Sequence, residues 1–245
     1  MIDVNLLDTR SPKGLDKQSI IEETVRMAKK IGELQHILYA DGKQSVLVVL
    51  QGVDASGKDG TAKNVFDFCN PSGIDFYSFK KPTEIEFAHD FLWRCHMVAP
   101  RKGQIMVFIR SHYEDILIQR VHNWISEERA KLRMEAINAF EQLLAFDNNT
   151  SIIKFFLNIS YERQEQKLQE RIDDPRLNWK HNDADWEERK HWAKYLECYN
   201  YAINQSVIPW YIVPADQKWY RNYFVAKTVL EHLEELDMKL PVLQR

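Results

Sequence analysis

The residues with the clearest chemistry are Gly52-Val53-Asp54-Ala55-Ser56-Gly57-Lys58, which satisfy the spacing G-x4-G-K of a Walker A loop. Glycines at these two positions let the backbone curl so that its N–H groups face phosphate oxygens. A helix beginning at the lysine adds its positive end, and Lys58 adds a full charge. Ala55, Ser56, Asp59 and Gly60 complete the candidate phosphate cradle around Gly52 and Gly57. The chemistry such a loop serves is phosphoryl transfer. The plainer alternative is a glycine turn between a strand and a helix.

Two departures from the usual loop are informative. Position 59 is Asp, where nucleotide-hydrolysing loops place a Ser or Thr on the metal, and the strand ending at Ile109-Arg110 carries no acid at its tip. Both habitual metal anchors are therefore missing. Asp54, inside the loop, is the candidate metal ligand, since its carboxylate can reach a cation bridging two phosphates. An Asx turn is the structural alternative for that residue.

The loop needs a buried strand before it and a helix after it. Residues 45–51 (SVLVVLQ) form a short, continuous apolar run rich in β-branched residues, as in a strand covered on both faces, and a helix is expected from Lys58 to Cys69. Ahead of this, residues 17–40 carry apolar side chains at helical spacing, ended by Asp41-Gly42, and residues 1–16 read as an extended leader. Further strands are expected at 74–79, 103–109, 151–159 and 209–213. Further helices are expected at 85–98, 112–122, 160–172, 186–204 and 216–236. Residues 123–149 are charged and helical in composition, and read as a lid or arm, as does 160–190. Alternating strands and helices predict an α/β fold with a parallel sheet between two helical layers, in one domain over 1–245.

The bulk composition narrows the classes. A 245-residue chain with 44% hydrophobic residues can bury a full core. A net charge of −3 gives no global attraction to nucleic acid or anionic membranes, so any polyanion site must be a local cluster of cations. Cys69, Cys95 and Cys198 form no C-x-x-C pair, which argues for reduced thiols. The first ten residues do not resemble a secretory signal, and no window approaches the ~18 apolar residues of a membrane span, so the expected location is the cytoplasm.

The loop Gln51–Gly60 resembles that of the polyphosphate kinase 2 family, and the likeness extends along the chain. Ser78-Phe79-Lys80-Lys81-Pro82-Thr83 resembles the family's F-K-x-P-[ST] segment, and His89–Arg94 its H-D-[FY]-L-W-R helix. Phe108–Glu114 resembles F-[DN]-R-S-x-Y-[NE]. Asn178-Trp179-Lys180 with Glu188, Arg189 and Trp192 resembles the lid. Pro209-Trp210 and Pro214–Trp219 resemble the last strand and the entry to the last helix. The likeness covers roughly residues 17–240. It implies a P-loop kinase fold with a helical lid, similar to thymidylate kinases. One departure is Ile109, where the family carries Asp or Asn.

The resemblance implies transfer of the terminal phosphoryl group of inorganic polyphosphate to AMP or ADP, with guanine nucleotides as further acceptors and Mg²⁺, or alternatively Mn²⁺, as the metal. Homo-oligomers, dimeric or tetrameric, are common in the family. Lys58 and Arg110 would neutralise charge on the transferred group, Asp54 and Glu114 would hold the metal, and Lys80 and Arg94 would line the phosphate track. His89 and Asp90 would orient Arg94, while Arg171, Lys180 and Arg189 would close from the lid and Lys218 from the last helix. Glu114, where single-acceptor members carry Asn, resembles class III, whose members use both AMP and ADP. Two alternatives remain: an ATP-dependent nucleoside monophosphate kinase, disfavoured by Asp59 and Ile109, and a non-catalytic polyphosphate or nucleotide sensor, supported by Ile109 alone.

Overall fold

The computed structural model describes residues 1–243. Five strands, β1 (Ser45–Gln51), β2 (Ile74–Ser78), β3 (Ile105–Ile109), β4 (Thr150–Asn158) and β5 (Trp210–Pro214), form one parallel sheet in the order β2-β3-β1-β4-β5. All seven residues of β1 are buried, as its unbroken apolar run predicts for a central strand. Because β1 lies between β3 and β4, the chain leaves it towards one side of the sheet and later returns on the other. That opens a crevice at the carboxyl end of β1, where the glycine loop begins.

Helices α1 (Lys17–Asp41) and α2 (Lys58–Val65) pack with the last helix of the chain on one face of the sheet. Asp16 caps α1 through the Ser19 N–H, and Gly42, at φ +63°, ends it. The helix expected over 85–98 is instead two single turns, α3 (Glu84–Phe87) and α4 (Trp93–His96). Asp90 explains the break: its Oδ1 accepts from the Leu92 N–H, a local bond that competes with helical pairing. The helix expected over 112–122 is likewise a 3-10 turn, His112–Asp115, followed by α5 (Ile118–Val121). Residues 66–69 lie outside α2, where a longer helix was expected.

Residues 123–149 do not form an arm. Helix α6 (Glu127–Asp147) buries Ala130, Met134, Ile137, Phe140, Glu141 and Leu144 against β4 and belongs to the second helical layer. Apart from Glu141, its charged residues lie away from the buried face and mask a buried stripe of helical period. Helices α7 (Tyr161–Asp173) and α8 (Asp183–Arg189) stand over the glycine loop. Helix α9 (Trp192–Gln205) packs against α5, and α10 (Lys218–Glu235) against α1 and α2. Residues 1–16 cross the molecule, with the Asn200 side chain accepting from the Val4 N–H and the Asp216 N–H donating to the Thr9 carbonyl. No helix among the described residues is long and apolar enough to cross a membrane.

Candidate active site

The loop between β1 and α2 adopts a conformation few sequences accept. Gly52, Ala55 and Gly57 have φ of +150°, +61° and +102°, and the left-handed angle at Ala55 is a strain borne by a non-glycine residue. A Cβ at Gly57 would lie 2.0 Å from Arg221 Nη1, and one at Gly52 would lie 2.9 Å from the Leu157 carbonyl oxygen. Gly52 is therefore required by space as well as by backbone angle, and Gly57 by its backbone angle beside the tip of the Arg221 side chain. Lys58 Nζ folds back and donates to the carbonyls of Gly52 (2.6 Å) and Val53 (3.1 Å). Burial, with Arg110 adding to it, pulls the Lys58 ammonium down to about 8. An arriving phosphate offers it a better partner than two carbonyls.

Arg110 follows the last residue of β3 with φ +59°, which turns its side chain into the crevice. There Arg110 Nη2 donates to Asp54 Oδ1 at 2.6 Å. Burial opposes the charge on both partners. Lys58 and Arg110 nevertheless hold the Asp54 carboxyl below its ordinary value, and Asp54 and Glu114 hold the guanidinium above its own. Glu114, on the 3-10 turn, lines the same cavity of about 310 Å³ as Asp54, Lys80, Lys81 and Arg110. Burial raises its carboxyl despite Arg110 and Lys58. Ile109 is buried in the core and brings no polar atom.

Among the described residues no group of three or more His, Cys, Asp or Glu could hold a metal ion unaided. Two acids in one phosphate cleft nevertheless fit Mg²⁺, which is usually bound through one or two carboxylates, waters and substrate phosphates. The Asp54 charge adds to the burial that raises the Glu114 carboxyl, so a cation held by both would relieve that repulsion.

Three residues behind the loop escaped the sequence reading. Arg221, on the buried face of α10, is 2% exposed and has no carboxylate partner among the described residues. Its Nη1 donates to the Ser56 carbonyl, its Nε lacks a hydrogen-bond partner, and burial lowers it to about 10. From α7, Gln164 Nε2 donates to the Asp54 carbonyl and Lys167 Nζ to the Ala55 carbonyl. Burial, then the charges of Arg221 and Arg163, bring the Lys167 ammonium down to about 7. The available signal was an arginine at an inward position of an amphipathic helix. On this side of the loop lies a groove of about 1220 Å³ whose lining includes Arg10, Lys17, Arg163 and Lys218.

Other expected residues lie elsewhere or are already engaged. Arg94 is buried, with Nη1 donating to the Lys80 carbonyl and Nη2 to Asp115 Oδ2, so it ties two segments together and its charge is shared with an acid. His89 and Asp90 do not orient it: His89 Nδ1 bonds the Ile85 carbonyl, its ring stacks on Trp93, and Asp90 caps Leu92. Arg94 also lines the 310 Å³ cleft, and with His89 and Asp90 it lines a second cavity of about 420 Å³ together with Arg129 and Arg133. Asp59 is exposed and Gly60 half-buried on the first turn of α2. Arg171 pairs with Asp185, and Lys180 lies over the exposed Trp179 ring, so neither lines the 310 Å³ cleft. Arg189 does line it, and also donates to Glu165. Glu188 is a further acid in the cleft, accepting from Tyr195 Oη.

A strained glycine loop at a helix N-terminus, enclosing Lys58, with Arg110, Asp54 and Glu114 in the cleft beside it, is an arrangement suited to phosphate groups. A family model described as polyphosphate kinase 2 matches residues 14–241. The chain is 46% identical over 237 residues to an AMP/ADP-polyphosphate phosphotransferase of Meiothermus ruber, spanning 96% of this chain and 88% of that protein. It is 39% identical over 228 residues to an ADP-polyphosphate phosphotransferase of Rhodopseudomonas palustris, spanning 87% and 78%. The crystal structure of polyphosphate kinase 2 from Arthrobacter aurescens TC1 superposes with a TM-score of 0.96 at 35% identity, covering all of this chain and 89% of that one. This chain belongs to the polyphosphate kinase 2 family.

Proposed function

We propose that the protein transfers the terminal phosphoryl group of inorganic polyphosphate to AMP and to ADP, forming ADP and ATP, with Mg²⁺ as its metal. The observation that carries this reading is the gathering of Arg110, Asp54 and Glu114 in one cleft beside the loop that encloses Lys58, in a chain 46% identical to the AMP/ADP-polyphosphate phosphotransferase of Meiothermus ruber. An acceptor phosphate oxygen, already anionic, attacks the terminal phosphorus. The bond to the donor's bridging oxygen breaks, and that oxygen keeps the electron pair as the new chain end. No strong general base is required, so catalysis is alignment and charge neutralisation. Lys58 and Arg110 neutralise the transferred group, and Arg110 is itself aimed by Asp54. Mg²⁺ held by Asp54 and Glu114 would add positive charge between donor and acceptor. The segment from α7 to α8 acts as the lid, with Arg189 its cation nearest the cleft.

The reading ties dual use of acceptors to Glu114, whose carboxylate would help to hold the metal; the charge so supplied would serve the reacting phosphate of a monophosphate or a diphosphate alike. With AMP as the sole acceptor, ADP should accumulate first and ATP follow, resolved by ion-exchange chromatography over time. A reaction that stops at ADP, or that uses ADP and ignores AMP, contradicts the dual assignment.

The donor chain runs from the loop towards the cation-bearing groove, within reach of the half-buried Lys167 ammonium beside the Ala55 carbonyl, while Arg221 stays buried behind the loop. A bound polyanion raises the pKa of Lys167 above its free value of about 7. Its contribution to donor binding is therefore complete below pH 7 and fades as pH rises towards the raised value in the complex. Lys167→Met should raise the donor KM about tenfold at pH 6.5, leave kcat within about threefold, and flatten the rise in KM between pH 6.5 and 8.5. An unchanged donor KM would place the chain elsewhere.

A further inference from the structure

Beneath the cleft lies a charged cluster that phosphate chemistry does not use. Lys154 on β4 and Glu141 on α6 are both 0% exposed, and Lys154 Nζ donates to Glu141 Oε2 at 2.6 Å. Glu141 Oε1 accepts from Tyr113 Oη at 3.0 Å and bonds His112 Nε2 at 3.1 Å. Lys154 Nζ also donates to Tyr113 Oη at 2.7 Å. Burial opposes the Glu141 charge, yet His112 and Lys154 hold its carboxyl below the ordinary value.

An ion pair this deep is a poor way to fasten a helix to a sheet, because the desolvation of two charges consumes most of their attraction. Apolar residues of the same volume often do as well or better. What apolar residues cannot do is hold His112 and Tyr113 by hydrogen bonds. Those residues sit between Arg110 and Glu114 on a 3-10 turn of four residues, entered through the left-handed Arg110. So short a turn has little stability of its own. The other side chains of the segment are anchored one by one: Ser111 accepts from Gln51 Nε2, His112 and Tyr113 meet the buried pair, and Asp115 accepts from Arg94.

We propose that the buried Lys154–Glu141 pair is a positioning device for transfer: through His112 and Tyr113 it fixes the segment that presents Arg110 and Glu114 to the cleft. The inference rests on the reading of Arg110 and Glu114 as the groups that meet the transferred phosphate and its metal. Its contribution appears in turnover, because a displacement of about 1 Å in an aligned group costs on the order of 10² in rate.

The test is the full-length double variant Lys154→Met/Glu141→Leu, which exchanges the pair for apolar side chains of similar volume. Its melting temperature should stay within about 5 °C of the parent, while kcat falls about 10- to 100-fold and both substrate KM values stay within about threefold. Combined with Glu114→Gln, the double change should cost less than about threefold more, since both act on one alignment. A purely structural pair would lower the melting temperature, leave kcat per folded molecule intact, and add its effects independently. Parental kcat in the folded double variant overturns the proposal. If that variant does not fold, Tyr113→Phe decides: it keeps the ring and the ion pair, and should lower kcat about three- to tenfold, whereas parental kcat overturns the proposal. Arg110→Ala separates the two levels, because parental turnover there would overturn the reading of the cleft itself.

Discussion

Lys58→Ala should leave the fold intact and lower kcat by about 10²–10³, the usual cost of removing one preorganised charge from a transition state. Structural tolerance follows from the contacts: among the described residues Lys58 Nζ donates to the carbonyls of Gly52 and Val53, and Asp54 keeps Arg110 as its hydrogen-bonded partner when Lys58 is removed. The loop itself is held independently, by the Ser56 N–H donating to Val53 and by Arg221, Gln164 and Lys167 donating to its other carbonyls. Circular dichroism and thermal melting report the fold, and steady-state transfer from polyphosphate to ADP reports the rate. A folded variant with near-parental turnover would remove this loop from the mechanism. Lys58→Arg should not rescue it, because the longer, planar guanidinium cannot occupy the volume now enclosed by the loop.

Asp54→Asn should be nearly as severe and differ in kind. It removes a metal carboxylate and also the charged partner of Arg110 Nη2, so turnover should fall by about 10²–10³ and the metal concentration for half-maximal rate should rise. Glu114→Gln should cost less, about tenfold, because burial already weakens Glu114's preference for the ionised form. The comparison is a metal titration of both variants at saturating polyphosphate. An Asp54→Asn enzyme with the parental metal dependence would show that the metal is held elsewhere.

The parts of this molecule legible in the sequence are those governed by local rules. Strand β1 announced itself by five consecutive apolar positions, Val46 to Leu50, three of them β-branched, ahead of a glycine loop, and the loop by its spacing, so Lys58, Asp54 and the carboxyl edge of the sheet could be located from residue types alone. Helix α6 was misread because its charged outer face outnumbers the apolar stripe of Met134, Ile137, Phe140 and Leu144, and only the strand beneath shows which face matters. The breaks within 85–98 and 112–122 depend on side chains that bond outside helical geometry, Asp90 to its own backbone neighbour and His112, Tyr113 and Asp115 to partners far along the chain. Arg221 and Lys167 reach the loop across 165 and 112 residues of sequence, and no spacing rule joins such positions. Their role requires the tertiary fold.

The central claim is that this cleft moves phosphoryl groups from polyphosphate to a nucleotide. It is tested most directly by incubating the purified protein with Mg²⁺, polyphosphate carrying ³²P at its terminal phosphate, and ADP as the only nucleotide. The account predicts ³²P in the γ-phosphate of ATP, one ATP for each phosphoryl unit lost from the chain, with both signals falling together in Lys58→Ala. Release of the label as free phosphate without ATP, or equal transfer by Lys58→Ala, would contradict it.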